Sequence, residues 1–177
     1  MQIGELLAAI FSSGMVYALV GAAAAVVLTG IGSATGIGYT ASASAGVMTE
    51  DPRGFGKYLI LVALPGTQGI YGFVVAFLAI STKLQLLNMA KAAQVAAAIT
   101  TAQGLQIMYA CLPIAFAGLV SAIHQGKVCT AGVALTAKQP AESGKALVFG
   151  VFVEFYAVLG LIMSIFMLNG INIPIPE

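Results

Sequence analysis

One carboxylate in the second half of the chain has the residue type and the setting for ion chemistry. Glu154 lies inside the apolar run 148–160, whereas the other five acidic residues lie at chain ends or in polar connections. An unpaired charge inside a membrane costs roughly 3 kcal/mol on insertion scales, so such a group must be protonated, paired or bound to a cation. The alternative is an inert acid hydrogen-bonded within a helix bundle. We interpret Glu154 as the functional site.

A proline-containing polar motif in the first half offers neutral oxygen ligands. Residues 64–72 read Leu-Pro-Gly-Thr-Gln-Gly-Ile-Tyr-Gly within an apolar segment. Pro65 removes a backbone donor and kinks a helix, which frees carbonyl groups near residues 61–64. Such a carbonyl, together with the oxygens of Thr67 and Gln68, suits a hard cation. A structural kink, satisfied by a neighbouring helix, explains the same residues equally well.

The segment His124-Gln125-Gly126-Lys127 supplies a further polar group. A buried amide requires hydrogen-bond partners, so Gln125 is a candidate site residue. His124, the only histidine, is interpreted as a packing residue. Lys127 is expected to pair or to extend to an aqueous boundary.

Composition places these motifs in an all-α membrane protein. The chain is 60% apolar and only 7% charged, against about a quarter charged residues in soluble domains. Its 177 residues accommodate four helices of about 20 residues each, and its apolar runs are continuous rather than alternating as in a β-barrel. A net charge of +1 does not provide the positive electrostatic potential that nucleic-acid binding requires. No nucleotide-binding loop is recognisable, so we expect no enzymatic activity of its own.

Apolar runs and polar breaks divide the chain into five parts. We predict a lead at 1–13, a first helical hairpin at 14–82, an alanine-rich and partly helical connection at 83–104, a second hairpin at 105–169 and a tail at 170–177. Within the first helix, small residues at four-residue spacing between Gly30 and Gly38 indicate close helix packing. Cys111 and Cys129 are interpreted as small apolar packing residues.

An internal repeat determines the predicted architecture. When the chain is shifted by 88 residues its halves align from Gly30 to Gly72 without a gap. The identities include Gly30/Gly118, Ser33/Ser121, Gly38/Gly126, Pro52/Pro140, Lys57/Lys145 and Gly72/Gly160. Each repeat has two spans, so both hairpins are inserted in the same orientation. Glu154 aligns with Gly66, so only the second hairpin carries a carboxylate.

The charges predict the orientation in the membrane. The two hairpin turns carry four basic residues, against two in the connection on the opposite side: Arg53, Lys57, Lys138 and Lys145, against Lys83 and Lys91. The positive-inside rule makes the turns cytoplasmic and both termini extracytoplasmic.

These residues resemble the proteolipid, or K subunit, of V-type and archaeal-type rotary ATPases. The resemblance covers roughly residues 14–169 and rests on the 64–72 motif, on residues 125–128 and on residues 153–160, with the extended 83–104 connection as the main departure. It implies that identical copies close into a rotor ring in the cell membrane, coupled to ATP hydrolysis or synthesis by a soluble head. It also implies further partners: lipids, a stator membrane subunit with an essential arginine, and central-stalk subunits at the cytoplasmic turns.

The resemblance also implies a sodium site. In sodium-translocating members the ligands correspond here to Glu154, Gln125, Gln68, Thr67 and the backbone carbonyl of Leu64, and the tyrosine that hydrogen-bonds the glutamate corresponds to Tyr71. It therefore favours Na+ over H+ as the coupling ion.

Two other classes of protein remain as alternatives. A proton-coupled small multidrug transporter also has four helices and one essential glutamate, but it predicts an early glutamate and no same-sense 88-residue repeat. A purely structural, pore-forming ring predicts a dispensable Glu154.

Overall fold

The computed structural model describes residues 13–173, which form four long helices joined by short turns and one connection. We name them span 1 (Gly14–Met48), span 2 (Pro52–Lys83), span 3 (Thr101–Lys138) and span 4 (Pro140–Asn169), and each is long and apolar enough to cross a membrane. No β-strand occurs between residues 13 and 173. The prediction of an all-α membrane protein with four spans is confirmed. Residues 1–12 of the predicted lead and 174–177 of the predicted tail lie outside the described residues.

Spans 1 and 3 pack against each other through glycines. A Cβ atom on Gly32 would lie 2.7 Å from the carbonyl oxygen of Leu119, and one on Gly126 would meet the backbone of Gly36. Gly14 and Gly104 approach backbone to backbone in the same way at the other end. Only residues without a Cβ permit such contacts, so the small-residue pattern sets the separation of the two spans.

Spans 2 and 4 pack on spans 1 and 3 in the same register. Gly72 of span 2 lies against Ala25 and Thr29, and Gly160 of span 4 lies against Pro113 and Ala117. Each of these contact residues is displaced by 88 positions from its counterpart, so the repeat in the sequence is also a repeat in the structure.

The two hairpin turns lie at the same end of the bundle. Each begins with a 3-10 turn at proline, Pro52–Gly54 in the first hairpin and Pro140–Glu142 in the second. The Lys57 Nζ atom donates a hydrogen bond to the carbonyl oxygen of Pro140 over 2.8 Å. The hairpins are therefore tandem copies in the same orientation, as predicted.

The connection between the hairpins is a packed element. It contains the short helix Met89–Ala98, whose Val95 is buried together with Leu84 and Ile99 in the core at that end of the spans. Span 3 begins at Thr101 rather than near residue 105, because Thr100 and Gln103 form a reciprocal capping box that satisfies two amides at the start of the helix.

Candidate functional site

Glu154 lies on the outward side of span 4 with its carboxylate turned towards spans 2 and 3. The residue is half-buried, and its neighbours Phe152 and Tyr156 are 70% and 68% exposed. The Tyr71 hydroxyl donates to Glu154 Oε1 over 2.6 Å, and Gln125 Nε2 donates more weakly to Oε2 over 3.4 Å. An outward-facing carboxylate is thus held by two donors, one from the other hairpin and one from span 3.

Two fully buried glutamines link the three spans behind the carboxylate. Gln125 Nε2 also donates to the carbonyl oxygen of Gly150 over 3.0 Å, and Gln68 Nε2 donates to Gln125 Oε1 over 2.6 Å. Gln68 Oε1 is buried and has no hydrogen-bond partner among the described residues. A buried acceptor without a donor costs about 1–3 kcal/mol, so this oxygen is available to a cation or to a proton donor.

The break in span 2 positions Gln68 and Tyr71. A 3-10 turn at Leu64–Gly66 contains the buried Pro65, and the Thr67 hydroxyl donates to the carbonyl oxygen of Leu64 over 3.0 Å. The Ser33 hydroxyl of span 1 accepts a bond from the Gly69 amide over 2.8 Å. Span 1 therefore anchors the backbone just after Gln68.

The structure joins four of the six predicted site residues into one network: Glu154, Gln125, Gln68 and Tyr71. The other two, Leu64 and Thr67, bond to each other in the turn that immediately precedes Gln68. They lie next to the network in the chain, and the hydrogen bond between them joins the Thr67 hydroxyl to the Leu64 carbonyl oxygen.

Sequence reasoning missed Ser121 as a member of the site. Its hydroxyl accepts a bond from Gln68 Nε2 over 3.4 Å and donates to the carbonyl oxygen of Val153 over 2.8 Å. The signal was present, since Ser33 and Ser121 are identities of the repeat, and Ser33 bonds to the backbone beside the same network. His124 and Lys127, in contrast, are exposed in the single chain.

The charge of the site limits what it can bind. Among the described residues no three His, Cys, Asp or Glu side chains are grouped as a metal cluster, and Glu154 is the single carboxylate of this network. Sites for divalent hard cations combine several oxygens with more negative charge. One carboxylate with neutral amide, hydroxyl and carbonyl oxygens fits a monovalent cation or a proton.

Comparison with known proteins identifies the family. A family model for the C subunit of ATP synthase matches twice, at residues 20–79 and 108–167, an offset of 88 residues. The chain is 44% identical over 153 residues to the V-type sodium ATPase subunit K of Enterococcus hirae, covering 86% of this chain and 90% of that protein.

More distant relatives carry related names. The chain is 37% identical over 157 residues to the A-type ATP synthase subunit K of Methanocaldococcus jannaschii, covering 89% of this chain and 64% of that protein. It is 29% identical over 149 residues to the human 16 kDa proteolipid of the V-type proton ATPase, covering 84% of this chain and 88% of that protein. These matches do not favour a multidrug transporter. The chain belongs to the family of ATP synthase C subunits, as a duplicated proteolipid of the V/A-type rotary ATPases.

Proposed function

We propose that this chain is a non-catalytic rotor subunit that carries Na+ across the membrane on Glu154. The ligands are Glu154, Gln125, Gln68, Thr67 and the Leu64 carbonyl, and Tyr71 holds the carboxylate. The observation that carries the proposal is an outward-facing carboxylate backed by the unpaired oxygen of Gln68. Similarity to a protein named as a sodium ATPase subunit supports Na+, and relatives named as proton ATPase subunits make H+ the second candidate.

Charge neutralisation explains how such a site supports rotation. With a monovalent ion bound, the carboxylate site is neutral and can face lipid beside Phe152 and Tyr156. Without the ion the site is an anion, and an unpaired charge in the bilayer costs roughly 3 kcal/mol. The empty site is therefore stable only opposite a cation, which an arginine of a stator subunit supplies. A site can therefore leave the stator and enter the lipid only after it has bound an ion again.

Identical copies of the chain form the ring of this proposal. The two basic turns face the cytoplasm and the central stalk of the complex, in the cell membrane, and both termini lie on the opposite side. Support for one shared end comes from the bond between Lys57 and Pro140. ATP is hydrolysed or synthesised in the soluble head, and this subunit supplies the ion-driven motion.

Carbodiimide labelling of Glu154 in the purified ring tests both the site and the ion. Carbodiimides react with the protonated acid, so a bound Na+ suppresses the reaction at a given pH. We expect protection by Na+ and none by K+, with more Na+ needed at lower pH because protons compete for the same carboxylate. Glu154→Gln should abolish labelling, whereas Glu50→Gln, at an exposed position after span 1, should leave it unchanged.

The outcomes separate the candidate functions. Labelling that ignores Na+ at every pH would establish a proton rotor, in which the glutamines only hydrogen-bond the acid. Absence of labelling in the intact ring would contradict the exchange site itself. Full ATP-driven ion transport by a complex built from Glu154→Gln would favour the purely structural ring.

A further inference from the structure

We propose that neighbouring copies in the ring meet along a seam that the internal repeat defines, in which His124 of one copy lies against Gly38 of the next. This inference rests on the ring of the proposed function and adds the residues that join its copies. The internal repeat relates the contact within a copy to the contact between copies. A shift of 88 residues converts the positions in one contact into those in the other, and we call this shift the operator. Span 1 and span 3 are equivalent elements, so span 3 must meet span 1 of the neighbouring copy roughly as span 1 meets span 3 within a copy.

The register of the operator is fixed by contacts within the chain. Gly72 lies against Ala25 and Thr29, and Gly160 lies against the residues 88 positions later, Pro113 and Ala117. Both hairpin turns also obey the same offset, with 3-10 turns that begin at Pro52 and Pro140. The glycine contacts and the turns therefore give the same shift of 88 residues. A shift of 87 or 89 residues would match neither the glycine contacts nor the turns.

Applying the shift to the contact between spans 1 and 3 gives the seam between copies. Within the chain, Gly21 meets Met108, Gly32 meets Leu119, and Gly36 meets Gly126. The equivalent pairs between copies are then Tyr109 with Val20, Val120 with Ile31, and His124 with Gly38.

All six seam residues are free surface in the single chain. Val20, Ile31, Tyr109 and Val120 are between 52% and 54% exposed, and Gly38 and His124 are also exposed. A Cβ atom built on Gly38 meets nothing within 4 Å. A cavity of about 360 Å³ opens beside His124, Val120 and Tyr156. Exposed large apolar side chains occur on all four spans, and the repeat identifies this row among them as the one that meets the next copy.

The seam differs from the contact within a copy. The three span 1 glycines that allow close approach inside the chain are replaced at the equivalent span 3 positions by Tyr109, Val120 and His124. Span 3 therefore lies farther from span 1 of the next copy than from span 1 of its own copy. His124, the lone histidine, fills this wider gap over Gly38, and its polar ring is removed from lipid.

The seam also lacks an ion site. Within a copy, Gln68 bonds to Gln125, and the 88-residue shift gives Tyr156 against Ile37 as the equivalent pair between copies. Within a copy, Tyr71 bonds to Glu154, and the equivalent pair between copies is Leu159 against Gly66. Neither equivalent pair contains an amide or a carboxylate. The ring has one ion site for each chain because only the contact within a copy supplies those groups.

Cysteine cross-linking in the assembled ring tests the seam. In a background with Cys111→Ala and Cys129→Ala, the double variants Gly38→Cys/His124→Cys and Ile31→Cys/Val120→Cys are treated with a short bifunctional thiol reagent. We expect a ladder of covalent oligomers from both pairs. The mismatched pair Val20→Cys/His124→Cys should give little product, because Val20 lies 18 residues from Gly38, about 27 Å along the helix.

Two results would overturn the seam: equal oligomer yield from the mismatched pair, or links formed only inside single chains of an intact ring. A packing test is independent of cysteine chemistry. Gly38→Leu should convert rings into single chains, whereas Gly46→Leu should not, although both glycines are open in the single chain. Equal ring stability in these two variants would also contradict the seam. Na+ protection of Glu154, measured on the same rings, separates failure of the seam from failure of the ion site.

Discussion

The Tyr71 hydroxyl donates a 2.6 Å hydrogen bond to Glu154 Oε1, and this bond joins the first hairpin to the carboxylate of the second. It closes the outward side of the site, while the glutamines close the inner side. A bond to a charged acceptor contributes about 1.5–3 kcal/mol. The carboxylate therefore has one orientation in which its second oxygen remains directed towards Gln125.

Tyr71→Phe should weaken Na+ binding without removing it. Loss of the bond to Glu154 lets the carboxylate rotate away from the other ligands, so we expect the Na+ concentration for half-protection against carbodiimide to rise by about tenfold or more, the equivalent of at least 1.4 kcal/mol. Tyr39→Phe, at an exposed tyrosine of span 1, is the matched control. An equal shift in both variants would show that the effect is not local to the site.

Gln68→Met should separate ion binding from folding. The substitution keeps the volume and removes Oε1, a buried acceptor that lacks a donor among residues 13–173, together with the bond that Nε2 donates to Gln125. These two losses oppose each other in the free energy of unfolding, so the ion-free stability should change little. Stabilisation by added Na+ should vanish; at 100 times Kd it is about 2.7 kcal/mol in the parent protein. Thermal unfolding with and without Na+ measures both quantities, and retained Na+ stabilisation would remove Gln68 from the ligand set.

Gly36→Val should separate spans 1 and 3 next to the site. A side chain at Gly36 meets the carbonyl oxygen of Ala122 and lies 2.8 Å from the Pro65 side chain. Overpacking of this kind costs about 1–3 kcal/mol, and here it also displaces the turn that precedes Gln68. We expect a lower melting temperature and weaker Na+ protection. Gly46→Val meets open space and should show neither effect.

Thr100→Ala should destabilise the start of span 3 and leave ion binding intact. The change removes the capping box with Gln103, which costs about 1 kcal/mol in typical helices. Hydrogen exchange at residues 101–104 should increase, while Na+ protection of Glu154 stays at the parent level. Thr82→Ala is the comparison, since the Thr82 hydroxyl bonds back to Leu78 within its own helix. If that variant loosens residues 101–104 equally, the cap is not responsible.

The sequence predicts the topology because one repeat encodes it twice. Hydropathy and the shift of 88 residues lead to two tandem hairpins, and the lone Glu154 in an apolar run predicts the centre of the site. Side-chain partners across spans depend on how each helix is rotated, which periodicity does not resolve in helices that are apolar on every face. For this reason Ser121 and the Gly150 carbonyl were missed, although Ser121 is a repeat identity.

The connection shows the other limit of sequence reasoning. Its alanine-rich stretch predicts some helix but has no clear apolar face, so the bounds Met89–Ala98 and the packing through Val95 were not predictable from periodicity. The earlier start of span 3 was readable, because Thr100 and Gln103 have the spacing of a capping box. The proposed ligand roles of Glu154, Gln125, Gln68, Thr67 and Leu64 remain predictions, and Na+ protection against carbodiimide tests the site that they form.

In the proposed rotor, Gly66 sets the number of ions carried in one revolution, because the first hairpin has this glycine where the second has Glu154. Half of the hairpins in the ring lack a membrane carboxylate and carry no ion. One revolution therefore moves one charge for each chain and not one for each hairpin. Moving a charge through 100 mV requires about 2.3 kcal/mol, and a revolution against a given voltage therefore requires half the work of a ring with a carboxylate in every hairpin. The same energy from ATP can consequently drive rotation against about twice the membrane voltage. A duplicated chain with one carboxylate therefore suits a pump that works against steep gradients.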